Sequence, residues 1–383
     1  MTERDFRFIS SDRFFEEYWG KKALYLPNAF PGFSSPISAE ELAGLACEDS
    51  VESRIVLEKG TPAWQVKHGS FSEKIFSQLP ESHWSLMVQA VNLWHPEVNE
   101  LLEHFNFLPR HYLDDIMVSY AAIQGSVGPH FDYYDVFILQ GSGSRLWQLG
   151  EFCTKDSPLL EDADMAILKQ FKRREEYRLY PGDMLYIPMQ QSHWCTAIEA
   201  GLSYSIGYRA PSLNEFINRW IEHCSQVLDE SIRLPMDDLK NASPTYVPES
   251  FIDQLQRRLK KLAENRSLIA SAFAEMTSEK KYPDEESTEG VCYSVKELKS
   301  LLAHSTCLRQ REEARFVWYC IHNKVTAYCN GQQFDFDQGY ERLVSLVFDH
   351  RRIDKRELIA HSDDPVALDF LTKLVNCGAL YFE

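Results

Sequence analysis

Near the N-terminus the hydrophobic positions follow a helical pattern. Ser11-Asp12 stands where a cap would start a helix over Arg13–Trp19, which Gly20 stops. From Asp115 the texture changes to short β-rich runs broken by Gly, Pro and Asp: Ile116–Ile123, Tyr134–Gln140, Leu146–Leu149, Glu176–Tyr180, Met184–Ile187 and Leu202–Tyr208. Most of these runs have no helix of useful length between them, so the pattern predicts an antiparallel sandwich or barrel. After Pro211 the pattern is helical again. Ser212 precedes an apolar stripe at Phe216, Trp220, Ile221 and Val227. A second helix is expected over Glu249–Met276, from Phe251, Ile252, Leu255, Leu259, Leu262, Leu268 and Ile269. Two helices enclose little core, so they must pack on the first part or on another copy of the chain.

The hydrophilic stretch Thr277–Gly290 reads as a linker. Beyond it, Ser294-Val295-Lys296-Glu297 has capping-box spacing. Phe316–His322 and Lys324–Cys329 read as strands, and Asn330-Gly331 is a tight-turn signal before Gln332–Phe336. Helices are expected at Tyr340–Phe348, Lys355–Ala360 and Pro365–Val375. Helices with a small hairpin suggest a winged-helix-like module.

Composition narrows the function. The chain has 383 residues, 44% hydrophobic and 25% charged, which is globular and long enough for two or three domains. The formal charge is −17. Residues 1–210 carry 29 acidic against 18 basic side chains, and residues 211–383 carry 28 against 22. That excess of acid argues against a general nucleic-acid or anionic-membrane binder and permits a basic partner. The winged-helix-like part, 288–383, is itself slightly acidic, and its one basic cluster, Arg351-Arg352-Lys355-Arg356, reads as a solvated helix end. The nine cysteines include no CxxC pair, which suits a reducing compartment. Met1-Thr2-Glu3-Arg4-Asp5 begins no apolar signal core, and no apolar run reaches about 18 residues, so a cytoplasmic protein without a membrane partner is expected.

The strongest chemical signal is Gly128-Pro129-His130-Phe131-Asp132. In extended backbone, His130 and Asp132 leave the same face. An imidazole and a carboxylate projecting together make part of a 2-His-1-carboxylate triad, the donor set of non-haem Fe(II) oxygenases. His193 is the candidate third ligand. It follows Pro181-Gly182-Asp183-Met184-Leu185-Tyr186-Ile187-Pro188, and the loop Met189–Ser192 would deliver it to the start of the next strand. Arg145 opens a strand among Leu146, Trp147 and Leu149. A guanidinium there is costly unless a carboxylate meets it. Arg209, at the end of Leu202–Tyr208, is the rival anchor.

These residues resemble a family. The stretch Ile123–Gly150, PGDMLYIP and His193 are similar to the Jumonji-C 2-oxoglutarate oxygenases. They are most similar to the bacterial ribosomal oxygenases, the arginine hydroxylases of large-subunit ribosomal protein sixteen. The likeness extends through Ser38–Ala43, Trp84–Trp94 and Tyr208-Arg209-Ala210-Pro211, over essentially the whole chain. It implies an α+β fold with a double-stranded β-helix (cupin or jelly-roll-like) core. The implied domains are a catalytic domain over 1–211 with its β-helix at about 115–210, a helical dimerisation region over 212–280 and a winged-helix-like domain over 288–383. It also implies Fe(II) on His130, Asp132 and His193, with 2-oxoglutarate and dioxygen as cosubstrates. Arg145 would pair with the distal carboxylate of 2-oxoglutarate, which favours it over Arg209, and Ser119 would assist cosubstrate binding. Ala121 departs from the pattern, replacing a second hydroxyl on the same strand face. The implied substrate is an arginine of a basic ribosomal protein, for which Tyr133, Tyr134, Asp135 and Asp114-Asp115 are candidate contacts. Histidine hydroxylation in a ribosomal protein and a non-catalytic cupin-like metal scaffold are the alternatives, and the buried Arg145 argues against the scaffold.

Overall fold

The computed structural model describes residues 9–58, 64–229, 231, 233–234, 245–282 and 292–383. The chain divides into two compact units, Met1–Ala210 and Pro211–Glu383.

The first unit opens with helix α1 (Ser11–Glu17) and strand β1 (Leu24–Leu26), then α2 (Ala39–Leu45), β2 (Ser53–Leu57), β3 (Gln65–His68) and β4 (Trp84–Val88). Two short helices follow, α3 (Val91–Trp94) and α4 (Pro96–Glu100). The seven later strands are β5 (Leu113–Ala121), β6 (Asp135–Gln140), β7 (Ser144–Phe152), β8 (Glu175–Leu179), β9 (Met184–Ile187), β10 (Gln191–Glu199) and β11 (Gly201–Tyr208). The eleven strands form an eight-stranded sheet in the order β1-β9-β6-β11-β5-β4-β2-β3 and a three-stranded sheet β10-β7-β8. All the pairings are antiparallel.

The large sheet is covered on both faces, which is why β6 reads as an unbroken buried run, DVFILQ. Phe137 and Leu139 point to the outer face, where Phe14, Leu42, Phe105, Tyr186 and Tyr204 form the main core. Val136 and Ile138 point inward, against Trp147, Leu149, Leu179 and Cys195 of the small sheet. The space between the sheets is a double-stranded β-helix interior, and the buried Arg145 and His193 share the face of the small sheet that lines it.

In the second unit, α5 (Leu213–Val227) begins at a Ser212–Glu215 capping box. The helix expected over Glu249–Met276 is instead two, α6 (Glu249–Ala263) and α7 (Arg266–Ser278). Asn265 interrupts the apolar stripe because its side chain accepts the Leu268 N–H and restarts the helix. Thr277 and Ser278 are buried in the last turn of α7, so they are not linker; the remainder of that expected linker from residue 283 lies outside the described residues. α7 packs on the sheet that follows through Ala274, Val317 and Tyr328.

That region comprises α8 (Val295–His304), β12 (Cys307–Gln310), the sheet β13 (Phe316–Ile321), β14 (Lys324–Cys329) and β15 (Gln332–Asp337), and α9 (Glu341–Asp349). β16 (Arg352–Asp354), α10 (Lys355–Leu358), α11 (Pro365–Asn376) and β17 (Leu380–Phe382) complete it. β12 pairs with β16 and β17, so Arg352 sits in a strand and not at a helix end. At the N-terminus the cap of α1 is Ser10, one residue before the expected Ser11-Asp12. No helix among the described residues is long and apolar enough to cross a membrane.

Candidate metal centre

The segment before β6 and the strand β10 come together at one point. His130 and His193 exchange both backbone hydrogen bonds: His130 N–H donates to His193 O at 3.0 Å and His193 N–H to His130 O at 2.8 Å. That narrow pairing turns both imidazoles to the interior, and Asp132, two residues on, joins them. One ligand-capable atom from each of His130, Asp132 and His193 lies within 4.8 Å of the others. His193 is the third residue of β10, so the loop that delivers it is shorter than Met189–Ser192. Gly128 makes the approach possible: its φ is +78°, and a Cβ there would lie 2.7 Å from Ile167 Cδ1.

The donor set suits a cation. His130 Nδ1–H donates to Gly128 O at 2.9 Å and His193 Nδ1–H to Gln191 O at 3.0 Å. In each neutral ring, Nε2 is therefore the lone-pair atom. The two Nε2 atoms stand 3.1 Å apart, with Asp132 Oδ2 at 3.5 Å from that of His193. Two lone pairs and a carboxylate facing one another repel unless a positive charge lies among them. Burial, reinforced by His130, pushes His193 down to about 4, so its ring is neutral near pH 7.

The second feature is Arg145 on β7. It is buried, and burial pushes its guanidinium below the usual arginine range. Nη1 donates to Ser119 Oγ at 2.9 Å, and Nη2 donates to Ser119 O at 2.8 Å and Gly201 O at 3.0 Å. Its Nε has no partner, and no carboxylate pairs with it among the described residues. A buried cation held only by neutral oxygens is a fitted place for an anion. Ser119, on β5, is thus placed against Arg145 itself. Ala121 shares the Ser119 face and pairs with Gly201.

Arg145 and His193 belong to one sheet and one face. Ala197 pairs with Arg145, Cys195 with Trp147 and His193 with Leu149. Trp147 packs on the His193 ring at 5.9 Å, and its buried Nε1 has no partner. The Cys195 thiol, beside the guanidinium, is pushed up to about 11 by burial.

Other expected contacts fall elsewhere. Asp135 is buried on the outer face of the large sheet, where it accepts the Tyr186 hydroxyl, so it cannot hold a substrate guanidinium at the centre. Asp115 is buried and accepts from Gln89 Nε2 at 2.9 Å. Tyr134 belongs to the inner core, and Tyr133 is exposed. Arg209 N–H donates to Tyr112 O at 2.6 Å, beyond the end of β11. Sequence reasoning missed Ser126, whose Oγ accepts the Gly128 N–H at 3.1 Å and the Trp194 indole at 2.9 Å. It also missed the buried Ile167-Leu168, where Leu168 N–H donates to Pro129 O at 2.8 Å. The Gly128-Pro129 turn was the only local signal for either.

Comparison with known proteins gives matches along the chain. The JmjC domain family matches residues 100–216, and the ROXA-like winged helix matches residues 260–381. The chain is 32% identical over 377 residues to the ribosomal protein uL16 3-hydroxylase of Escherichia coli, covering 97% of each chain. It is 31% identical to a probable ribosomal oxygenase of Haemophilus influenzae, over 85% of this chain and 82% of that one. The solved structure of the E. coli ribosomal oxygenase YcfD with cobalt and 2-oxoglutarate superposes with a TM-score of 0.86 at 31% identity, over 98% of this chain and 99% of that one.

Proposed function

This chain belongs to the JmjC-domain ribosomal oxygenases, and from that premise we propose that it hydroxylates an arginine side chain of a large-subunit ribosomal protein. It is a 2-oxoglutarate-dependent oxygenase with Fe(II), 2-oxoglutarate and dioxygen as cofactor and cosubstrates. The observation that carries the reading is that two needs meet beside one face of the small sheet, which carries His193 and Arg145. Three donor atoms, His193 with His130 and Asp132, call for a cation, and a buried guanidinium calls for an anion.

His130, Asp132 and His193 would hold the iron. Bound iron supplies the activation of dioxygen that lets an unactivated C–H bond be hydroxylated. The protein's part is to bind and orient. The register separates His193 from Arg145 by four strand positions, about 13 Å of backbone at about 3.3 Å per residue. A short dicarboxylate lying along that face meets the metal with one end and the guanidinium with the other. Ser119 fixes the guanidinium plane through its hydroxyl and carbonyl oxygens. Trp147, Leu149, Val136 and Ile138 keep water from the space between.

Arginine as the target rests on the relatives' activity on a ribosomal protein, together with the net acidity of residues 1–210, which favours a basic partner. Purified protein incubated with Fe(II), 2-oxoglutarate and the large-subunit ribosomal protein should add one oxygen atom to an arginine-containing peptide, located by fragment mass spectrometry. Oxygen on a histidine instead would replace the arginine reading. No added oxygen with consumption of neither cosubstrate would remove the enzymatic one.

The helical region 212–280 is proposed as a homodimer contact. Leu213, Ile217, Ile221 and Val227 of α5 and Ile252 and Leu259 of α6 are exposed apolar side chains on amphipathic helices. Sedimentation at working concentration should give a dimer, and Ile221→Glu should shift it toward monomer. A wild-type monomer would end this assignment.

A further inference from the structure

Both histidines of the centre are oriented in the same way. Each donates its Nδ1–H to the carbonyl two residues before it, His130 to Gly128 O at 2.9 Å and His193 to Gln191 O at 3.0 Å. The two carbonyls are not held alike. Gln191 lies in β10 and pairs with Phe152 of β7, so the sheet fixes its peptide plane. Gly128 lies in no strand. The chain around it is pinned to β10 at two separate points. At the first, Gln124 N–H donates to Ala197 O at 2.8 Å, Ala197 N–H donates to Gly125 O at 3.0 Å, and Ser126 bridges to Thr196. At the second, His130 pairs with His193. Between these points run Val127, Gly128 and Pro129.

The Gly128 carbonyl belongs to the peptide bond before Pro129, which has no N–H to anchor it. That carbonyl must be held from its two sides. On one side the Gly128 N–H donates to Ser126 Oγ at 3.1 Å. On the other the Leu168 N–H donates to Pro129 O at 2.8 Å. Gly128 has φ +78°, an angle that glycine's own freedom does nothing to hold. Ser126 is buried, and its Oγ also accepts the indole N–H of Trp194, the residue after His193, at 2.9 Å. Both lone pairs of one hydroxyl are thereby engaged, one by the turn that serves His130 and one by the strand that carries His193.

We propose that Ser126 is a positioning residue for His130: its hydroxyl holds the Gly128 N–H, which sets the carbonyl that fixes the His130 ring with Nε2 facing that of His193. This rests on the reading that His130, Asp132 and His193 hold a divalent metal. A serine that served only the fold would tie Trp194 to the turn and leave the ring unaffected. The hydrogen bonds that run from Ser126 Oγ through Gly128 to His130 Nδ1 are what such a role does not require. Losing a partner that orients a ligand imidazole changes metal affinity by about 10–100-fold, and Ser126 acts through one further hydrogen bond, so its effect belongs at the lower end.

The test is a Co(II) titration of the full chain, read by visible absorption, with thermal unfolding of the metal-free protein alongside. Ser126→Ala should bind Co(II) about tenfold more weakly than wild type, and its saturated complex should show an altered absorption band. Ser126→Gly makes the same deletion and serves if Ser126→Ala fails to fold. Trp194→Phe removes the other donor to the hydroxyl and keeps a ring against Phe171, so it should lose thermal stability yet bind Co(II) as the wild type does. Wild-type affinity and spectrum in Ser126→Ala would overturn the proposal. Equal weakening in Ser126→Ala and Trp194→Phe would overturn it too, because the effect would then belong to packing around the hydroxyl. Wild type and Asp132→Ala separate this from the parent reading. If Asp132→Ala binds as tightly as wild type, the metal assignment fails and takes this proposal with it. If those two differ and Ser126→Ala matches wild type, only the positioning role fails.

Discussion

The interior of the first unit and the interior of residues 292–383 are filled on different principles. Among the β-helix hydrocarbon lie buried Asp115, Ser119, Asp135, Gln140, Arg145, Asp183 and His193. In residues 292–383 the buried side chains are almost all apolar, and Gln310 and Thr372 are satisfied by nearby carbonyls of Val347, Phe348 and Leu368. Burying polar groups costs stability unless each finds a partner. A region that only has to fold avoids that cost. A region that retains Arg145 Nε, Trp147 Nε1 and Gln191 Oε1 unpaired along β7 and β10 is shaped for something besides folding.

The comparison breaks most sharply at the proposed ligands. Asp132→Ala should cut metal affinity by at least about 100-fold, beyond the 10–100-fold typical of outer partners alone, and take turnover to background. Asp132 is only half-buried, so the metal-free fold should hold. Retained metal-dependent turnover of 2-oxoglutarate would show that the centre lies elsewhere. The opposite outcome is expected of Phe370, which packs on Phe334 at 5.2 Å, Phe336 at 4.9 Å and Phe348 at 5.9 Å. Phe370→Ala should cost about 3–5 kcal/mol locally, read by hydrogen exchange over residues 316–376, with Co(II) affinity untouched. If metal binding fell with it, the two interiors would not be the separate systems described.

Arg145→Met sharpens the contrast within the first unit. A charge-assisted carboxylate contact is worth about 1.5–3 kcal/mol, so 2-oxoglutarate should bind about 10–100-fold more weakly. Thermal stabilisation by added 2-oxoglutarate, present in the wild type, should disappear while metal affinity persists. Undiminished stabilisation in the variant would move the anion anchor to another cation.

What was legible in the sequence was whatever short-range chemistry decides. HxD put two ligands on one face because strand side chains alternate. The capping boxes at Ser212 and Ser294 were readable because four consecutive residues make both hydrogen bonds. β14 and its turn into β15 came out of Asn330-Gly331. What was missed depends on distant partners. β1 has three residues, too few to show a period, and exists because Leu24 pairs with Tyr186. β12, β16 and β17, of three or four residues, pair across long stretches of chain. Asp135, one of several candidate contacts, falls elsewhere for the same reason. Its place near Asp132 made it a candidate contact, but a strand's alternation sends it to the other face, to the Tyr186 hydroxyl.

The smallest expected effect tests the apolar region at its polar exception. Cys377 follows α11 and is exposed, while Cys329 on β14 is buried. As a thiolate, Cys377 would accept from the neighbouring Cys329 thiol, which holds the Cys377 thiol down to about 7, whereas burial pushes Cys329 well above the usual thiol range. A donor thiol stabilises the neighbouring thiolate and takes on none of the charge itself. At pH 7 about half of Cys377 should then be thiolate, roughly fifteenfold more than an ordinary thiol of pKa about 8.5. Iodoacetamide labelling of the folded protein, followed by peptide mapping across pH, should show Cys377 reaching half-maximal rate near pH 7, with Cys329 protected. Cys329→Ala should return that midpoint toward the ordinary range. A midpoint near 8.5 in the wild type would mean that the interior of this region imposes no electrostatic order of its own, and the contrast with the β-helix would be complete.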